Sequence, residues 1–139
     1  MKISIFNRQK DLSISRSSVK KLVELVLEDR ETEVVIHFVG KKKISQLHDQ
    51  FFDDPSPTDC ITFPMGGDIL GEIFVCPQVA KEYDPRHPYR ETSLYVIHGL
   101  LHLLGYDDIQ RSDRIKMQRA QNRLLKKAKA KRCLLQRSS

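Results

Sequence analysis

The feature that most restricts how this chain can fold is the apolar run at residues 94–106, because it carries two histidines four residues apart. A helix places side chains at that spacing one turn apart on the same face, so the imidazoles of His98 and His102 can reach a single metal ion. Gly105 follows three residues later, where a helix would end with its backbone in the left-handed region. The run therefore predicts a strongly apolar helix that ends at a metal site.

The third metal ligand is predicted just beyond this glycine. A chain that turns back there brings Asp108, six residues after His102, towards the same ion, and Asp107 is the competing carboxylate. Three protein ligands leave one position open for water, which is typical of catalytic sites. We therefore predict a catalytic water on an ion held by His98, His102 and Asp108. Zn²⁺ is the expected cofactor, and another divalent ion is the alternative because a carboxylate ligand shifts metal preference towards harder ions.

The spacing HxxxHxxGxxD also matches the ligand spacing of metzincin proteases. Those enzymes place a glutamate directly after the first histidine, where it acts as the general base. In this chain that residue is Gly99, which has no side chain to move a proton. The sequence therefore argues against a peptidase.

The charge is unevenly distributed along the chain. The formal net charge is +6, but residues 111–139 contain 11 Lys or Arg and one acid, Asp113. Residues 1–110 contain 13 basic and 17 acidic side chains. An acidic body with a strongly basic C-terminal helix and tail indicates a polyanionic partner such as nucleic acid.

The cysteines and the apolar runs indicate the compartment. Cys60, Cys76 and Cys133 are odd in number, widely spaced and without a CxxC pair, so reduced thiols are expected rather than disulfides. The N-terminal residues do not resemble a signal peptide, and the longest apolar run is shorter than the roughly 20 residues that cross a bilayer. We expect a cytoplasmic protein with no membrane partner.

The hydrophobic pattern predicts a single α+β domain over residues 1–139, with a mixed sheet of about four strands, surrounding helices and the metal site at the end of a helix. Strands are predicted at 1–7, 34–40, 60–64 and 70–77. Helices are predicted from a cap at Ser17 or Ser18 to Asp29, for about two turns through Ile44, Leu47 and Phe51, from Pro77, at 91–104 after a loop at 84–90, and at 109–132. The candidate inward positions of the last helix are Ile109, Ile115, Met117, Leu124 and Leu125. Residues after about 131 are expected to contribute only charge.

Three sequence blocks resemble those of a known family. The run HGLLHLLGYDD (98–108) is preceded by PTDCITFP (57–64) and LGEIFVCPQVA (70–80). The bacterial YbeY proteins have HGxLHLxGYDH, with PTDVLSFP and GDIxIC upstream in the same order. The resemblance runs from about residue 44 to residue 125. It implies a mixed sheet with surrounding helices and a metal-dependent, single-strand-specific endoribonuclease of ribosomal RNA maturation and ribosome quality control. The implied partners are single-stranded or ribosomal RNA and the ribosome, with no DNA expected.

Two positions depart from this family pattern. The family's third histidine falls on Asp108, so the resemblance transfers metal binding to His98 and His102 alone. The family also has an arginine, associated with the RNA phosphate, at the position that is Phe52 here. A phenyl ring neither clamps a phosphate nor stabilises developing negative charge. Arg86 and Arg90 are the cations that could take over this role.

The remaining candidate substrate-binding residues are Thr58 and Asp59. They would orient the substrate or support the metal ligands, and the alternative is an ordinary turn ahead of a strand. For the whole protein, the alternative to a nuclease is a non-catalytic ribosome-assembly factor that retains a structural metal site. A metal-dependent hydrolase of small molecules is a third hypothesis.

Overall fold

The computed structural model describes all 139 residues and contains one four-stranded mixed sheet. Its strands are β1 (Lys2–Arg8), β2 (Glu33–Val39), β3 (Cys60–Pro64) and β4 (Ile69–Val75). They lie in the order β1-β2-β4-β3, in which β2 pairs in parallel with both β1 and β4. Only β3 runs antiparallel to its neighbour, at the edge of the sheet. The predicted number of strands and the mixed character of the sheet are confirmed.

Five helices surround this sheet, so the predicted α+β architecture is also confirmed. They are α1 (Arg16–Leu27), α2 (Lys41–Phe52), α3 (Pro77–Tyr83), α4 (Pro88–Leu103) and α5 (Arg111–Ala130). None of the five combines the length with the apolar character that a bilayer-spanning helix needs.

Helix α4 is the centre of the fold. Ten of its 16 residues are buried, and the helix packs against β3, β4, α1, α3 and α5. A helix that is apolar around most of its circumference is stable only when it is enclosed on several sides. Its fully buried side chains, such as Ile97 and Leu100, join Ile36 and Ile73 of the sheet in the main core. The burial of α4 therefore fixes the position of the two histidines at its C-terminal half.

Helix α2 covers part of the opposite face of the sheet. Ile44 and Leu47 pack against Val39 and Ile61 in a second, smaller cluster. The helix has 12 residues rather than about two turns. Phe51 in its last turn is 53% exposed and packs edge-on against Phe63 of β3.

Several predicted helix details are also wrong. Helix α1 is capped by Ser15, whose hydroxyl accepts the backbone N–H of Ser18, rather than by Ser17 or Ser18. Helix α4 begins at Pro88, inside the predicted loop, because proline suits the first turn of a helix. In α5 only Met117 and Leu124 of the proposed inward residues are buried, whereas Ile109 is 75% exposed and Ile115 is also exposed.

The C-terminal tail is part of the packed structure and contributes more than charge. Leu135 is only 2% exposed and belongs to the main core. Its backbone N–H donates to the buried hydroxyl of Ser93, and the N–H of Gln136 donates to the hydroxyl of Ser18. The expectation for residues after 131 is therefore wrong, because composition alone did not reveal the two serine acceptors.

Helix α4 approaches the sheet unusually closely at Gly99. A Cβ added at this glycine would lie 2.8 Å from Cγ2 of Ile73 and 3.0 Å from Sγ of Cys60. Ile73 is fully buried and β-branched, so its methyl group has little freedom to move away. The absence of a side chain at Gly99 therefore has a packing role, one residue after the first metal-ligand candidate.

We predict that Gly99→Ala destabilises the fold. Overpacking a core costs about 1–3 kcal/mol, whereas the helix propensity of alanine over glycine returns about 1 kcal/mol. Urea denaturation should therefore show a lower free energy of unfolding for the variant. Gly66→Ala is the control, because a Cβ there meets nothing within 4 Å and stability should change by less than about 0.5 kcal/mol. Equal stability of Gly99→Ala and the wild type would contradict the close approach.

Candidate metal centre

The C-terminus of α4 turns the chain back onto its own last turn. The N–H of Tyr106 donates to the carbonyl of Leu101 at 3.0 Å, and the N–H of Gly105 donates to the carbonyl of His102 at 3.0 Å. This pair of bonds is the Schellman motif, and Gly105 has the positive φ of +102° that the motif requires. The predicted helix end at this glycine is confirmed. The reversal returns the next residues of the chain towards the two histidines.

Three side-chain donor atoms meet at this reversal. Nε2 of His98 lies 3.0 Å from Nε2 of His102, and Oδ2 of Asp108 lies 3.5 Å from the latter and 3.9 Å from the former. Ligands of a tetrahedral zinc ion at the usual bond lengths are separated by about 3.3–3.5 Å. The three separations bracket this value, so the group fits a single divalent ion.

The hydrogen bonds behind the two histidines fix which nitrogen carries the proton. Nδ1 of His102 lies 3.1 Å from the carbonyl oxygen of Tyr106, and a carbonyl can only accept, so Nδ1 is the donor. Nδ1 of His98 donates in the same way to Oε1 of Gln121 at 2.8 Å. In the neutral form of each ring, Nε2 then carries the lone pair, and the two Nε2 atoms face each other and the Asp108 carboxylate. In that form three acceptor atoms face one another, and a bound cation would relieve their mutual repulsion.

Gln121 was not identified from the sequence. It lies on α5, 23 residues from His98, and the contact exists because α4 and α5 pack together. The only signal in the sequence is a polar residue three positions before the buried Leu124 in the predicted helix. Such a residue borders the buried stripe of a helix, but nothing in the pattern connects it to His98.

The two candidate carboxylates, Asp107 and Asp108, make different contacts in the structure. Oδ1 of Asp107 accepts the backbone N–H of Ile109 at 3.0 Å and so stabilises the turn after α4. Asp108 instead directs Oδ2 towards the histidines. The geometry therefore brings Asp108 into the group and gives Asp107 a local structural role.

A cleft with two lobes runs past the donor group, which consists of the metal-ligand candidates His98, His102 and Asp108. The first lobe has a volume of about 470 Å³ and is lined by His98, His102 and Asp108 together with Phe52 at its edge. The second has a volume of about 590 Å³ and extends towards Gln121. Thr58, Asp59 and His98 line both lobes, so they form the wall that the lobes share.

Thr58 and Asp59 therefore lie beside the candidate metal group, as the sequence suggested. The Thr58 hydroxyl donates to Oδ1 of Asp59 at 3.3 Å. The Asp59 carbonyl accepts the N–H of Cys76 at 3.0 Å, which anchors this segment to the end of β4. Both side chains are held at the wall of the cleft by the start of β3.

The two arginine candidates lie elsewhere. Neither Arg86 nor Arg90 lines a lobe of the cleft, and both belong to the region that joins α3 to the first turn of α4. The guanidinium of Arg90 pairs with Asp84 at 3.1 Å. Phe52, at the position of the expected arginine, does line the first lobe. The cleft wall therefore presents an aromatic ring where a cation was expected.

Burial raises the pKa of three groups that line the cleft. It raises the pKa of Glu91, although a hydrogen bond with Tyr95 acts in the opposite direction. It also raises the pKa of Tyr95 and, most strongly, that of the Cys60 thiol. A thiol with a raised pKa is a poor nucleophile, and Cys60 is not among the residues whose ligand atoms converge in the donor group.

Comparison with known proteins gives a consistent result. The family model described as Endoribonuclease YbeY matches residues 4–129. This chain belongs to the YbeY family. It is 47% identical to the Endoribonuclease YbeY of Protochlamydia amoebophila over 133 residues, which cover 87% of this chain and 89% of that protein. The protein of the same name from Chlamydia felis is 38% identical, with 97% of this chain and 96% of that protein covered.

The fold of this YbeY protein also matches a solved structure. The solution structure of TM1509 from Thermotoga maritima is similar with a TM-score of 0.61 and 30% sequence identity. The match covers 88% of this chain and 86% of that one. The resemblance inferred from the three sequence blocks is thus confirmed over nearly the whole chain.

We predict that Gln121→Ala weakens zinc binding without unfolding the protein. Loss of a hydrogen-bond partner behind a histidine ligand typically lowers metal affinity by about 10–100-fold, because the ring loses its orientation and its tautomer. Competition with a chromophoric zinc chelator measures this change. Gln118→Ala is the matched control, since Gln118 is an exposed glutamine on the same helix. Unchanged zinc affinity in Gln121→Ala would show that the contact does not support the site.

Proposed function

We propose that this protein is a metal-dependent endoribonuclease that cuts single-stranded RNA during ribosomal RNA maturation in the cytoplasm, with zinc as its ion. The observation that carries the proposal is the convergence of three possible ligand atoms from His98, His102 and Asp108 beside an open cleft. The printed names of the relatives describe endoribonucleases, so RNA is the substrate that family membership supports.

The roles of the three residues follow from this geometry. His98 and His102 would hold the ion through Nε2, and Asp108 through Oδ2. An ion bound there would supply Lewis acidity, polarising a phosphoryl oxygen and making water a better nucleophile at neutral pH. Gln121 and the Tyr106 carbonyl position the two imidazoles by accepting hydrogen bonds from their Nδ1–H groups. Asp108 lowers the net positive charge of the site, which favours binding of the ion but weakens its effect on water.

Thr58 and Asp59 are proposed to orient the substrate. The Asp59 carboxylate, when ionised, only accepts hydrogen bonds, so it selects donors such as water or a ribose hydroxyl. The Thr58 hydroxyl donates to that carboxylate and restrains it. Both residues line both lobes of the cleft, which supports a role in orienting a substrate bound in either lobe.

The basic helix α5 is proposed to bind the RNA backbone. It carries eight Lys or Arg and one acid within 20 residues, and Gln121 on the same helix lines the cleft. Helix α5 therefore borders the cleft through Gln121, and its charge supports a role in holding the RNA backbone. Phosphate contacts of this kind bind without reading sequence and weaken as salt increases. Arg86 remains a further candidate for a phosphate contact, whereas Arg90 is already paired with Asp84.

The non-catalytic assembly factor is the second hypothesis. Phe52 and Asp108, the two departures from the family pattern, are the observations in its favour. The names of the relatives favour the nuclease, as does the open cleft beside the donor group.

We predict that the zinc-loaded protein cleaves a single-stranded RNA oligonucleotide and that chelation or His98→Ala abolishes cleavage. The substitution removes one of two histidine ligands, so the rate should fall to the background of the uncatalysed reaction. Denaturing gel electrophoresis of end-labelled RNA measures the rate. His87→Ala is the matched control, because His87 is an exposed histidine ahead of α4 whose nearest charged partner is Asp84.

The outcomes separate the hypotheses. Cleavage that survives in His98→Ala but not in mock-purified samples would contradict the proposed role of the donor group. Binding of RNA by the wild type without any cleavage would instead support the assembly factor. Activity on small model esters without cleavage of RNA would support a small-molecule hydrolase.

A further inference from the structure

We infer that Phe52 and Tyr83 are two base-stacking platforms, one in each lobe of the cleft, which hold the unpaired nucleotides on either side of the donor group. This inference rests on the proposed function and assigns the residues that would select single-stranded RNA. It follows from where two exposed aromatic rings lie relative to His98, His102 and Asp108.

Phe52 is the platform of the first lobe. Its side chain is 56% exposed although it lines the same lobe as the three donor residues. It is the last residue of α2, and its ring lies 5.7 Å from that of His48 at a tilt of 53°. His48 is itself fixed, because its Nδ1 donates to the Ser56 carbonyl at 2.9 Å. The Phe52 ring therefore has a fixed neighbour in His48, while more than half of the residue remains exposed.

Tyr83 is the platform of the second lobe. Its side chain is 76% exposed, the highest value among the large hydrophobic residues of the chain. It is the last residue of α3 and lines the lobe with Asp59, His98 and Gln121. Phe52 and Tyr83 are alike in position, since each is the last residue of a helix and lines one lobe of the cleft. The shared wall of Thr58, Asp59 and His98 lies between the two lobes.

Two other exposed aromatic rings, those of Phe51 and Phe6, are in contact with a partner. Phe51, the neighbour of Phe52, packs edge-on against Phe63 with the ring centroids 4.9 Å apart. Phe6 stacks on His37 at 5.1 Å and is covered by the Arg8 guanidinium at 5.1 Å. Neither of these rings lines the cleft. Exposure combined with a place in the cleft therefore distinguishes Phe52 and Tyr83.

Stacking on two rings requires unpaired bases, because the bases of a duplex are stacked on one another. Base–aromatic stacking tolerates any sequence, since every base has a π-face. RNA proteins use aromatic side chains in this way on single strands, whereas duplexes are recognised through shape and backbone. Phe52 thus replaces the phosphate contact of the family arginine by a base contact, and the phosphate charge is left to α5.

The test measures binding of a fluorescent single-stranded RNA oligonucleotide to the full-length protein in excess chelator, where cleavage is blocked. Phe52→Leu and Tyr83→Leu should each weaken binding about tenfold, equivalent to about 1.4 kcal/mol and within the range for one stacked base. Phe52→Tyr and Tyr83→Phe should restore it, because both retain an aromatic face. Phe51→Leu is the matched control and should bind like the wild type.

A second measurement separates stacking from a general loss of structure. The affinity for an RNA duplex of the same length should be unchanged in the double variant Phe52→Leu/Tyr83→Leu, so the preference for single strands should fall about 100-fold if the two stacks are additive. The inference would be overturned if the double variant lost as much affinity for duplex RNA as for single-stranded RNA. It would also be overturned if neither single variant lost affinity for single-stranded RNA.

The failure of this inference is distinguishable from the failure of the proposed function. If the zinc-loaded wild type cleaves RNA while both leucine variants bind single strands normally, the nuclease function is supported and the stacking role of Phe52 and Tyr83 is wrong. If the wild type fails to cleave RNA but the leucine variants lose single-strand binding, the stacking role is supported and the nuclease function is wrong.

Discussion

Every part of the site depends on how helix α4 is enclosed. The helix is buried on most sides, and it can lie against the sheet only because Gly99 has no side chain to meet Ile73 and Cys60. The same helix must then expose its last turn, since His98 and His102 have to reach the cleft. The Schellman turn at Gly105 resolves this requirement by ending the helix sharply and returning Asp108 to the histidines. Packing at one glycine and reversal at another thus fix three donor atoms before any ion binds.

The donor group is held in a state that favours a cation. Oxygen atoms of Gln121 and Tyr106 accept hydrogen bonds from Nδ1 of the two histidines, which turns both Nε2 atoms towards the Asp108 carboxylate. The packing of α4 against α5 and the turn after α4 bring the three ligand atoms together. An ion that binds only the folded protein should therefore increase its stability.

The sequence predicted the features that depend on local spacing. The helical histidine pair, the glycine that ends the helix, the approach of Asp108 to the histidines and all four strands were accessible because each depends on a few consecutive residues. Gln121, the packed tail at Leu135 and the exposure of Ile109 and Phe51 were not, because they depend on which helix faces lie against each other. The shared location of Phe52 and Tyr83 was also not predictable, since the sequence does not indicate that the ends of α2 and α3 line the same cleft.

The claim that one ion is shared by three residues is tested most directly by the metal content of purified protein. Native mass spectrometry and competition with a chelator should show one zinc ion in the wild type and a greatly reduced affinity in Asp108→Ala. Asp107→Ala should retain the ion, because Asp107 binds the backbone N–H of Ile109 and not the donor group. Full occupancy with unchanged affinity in Asp108→Ala would contradict the three-ligand site.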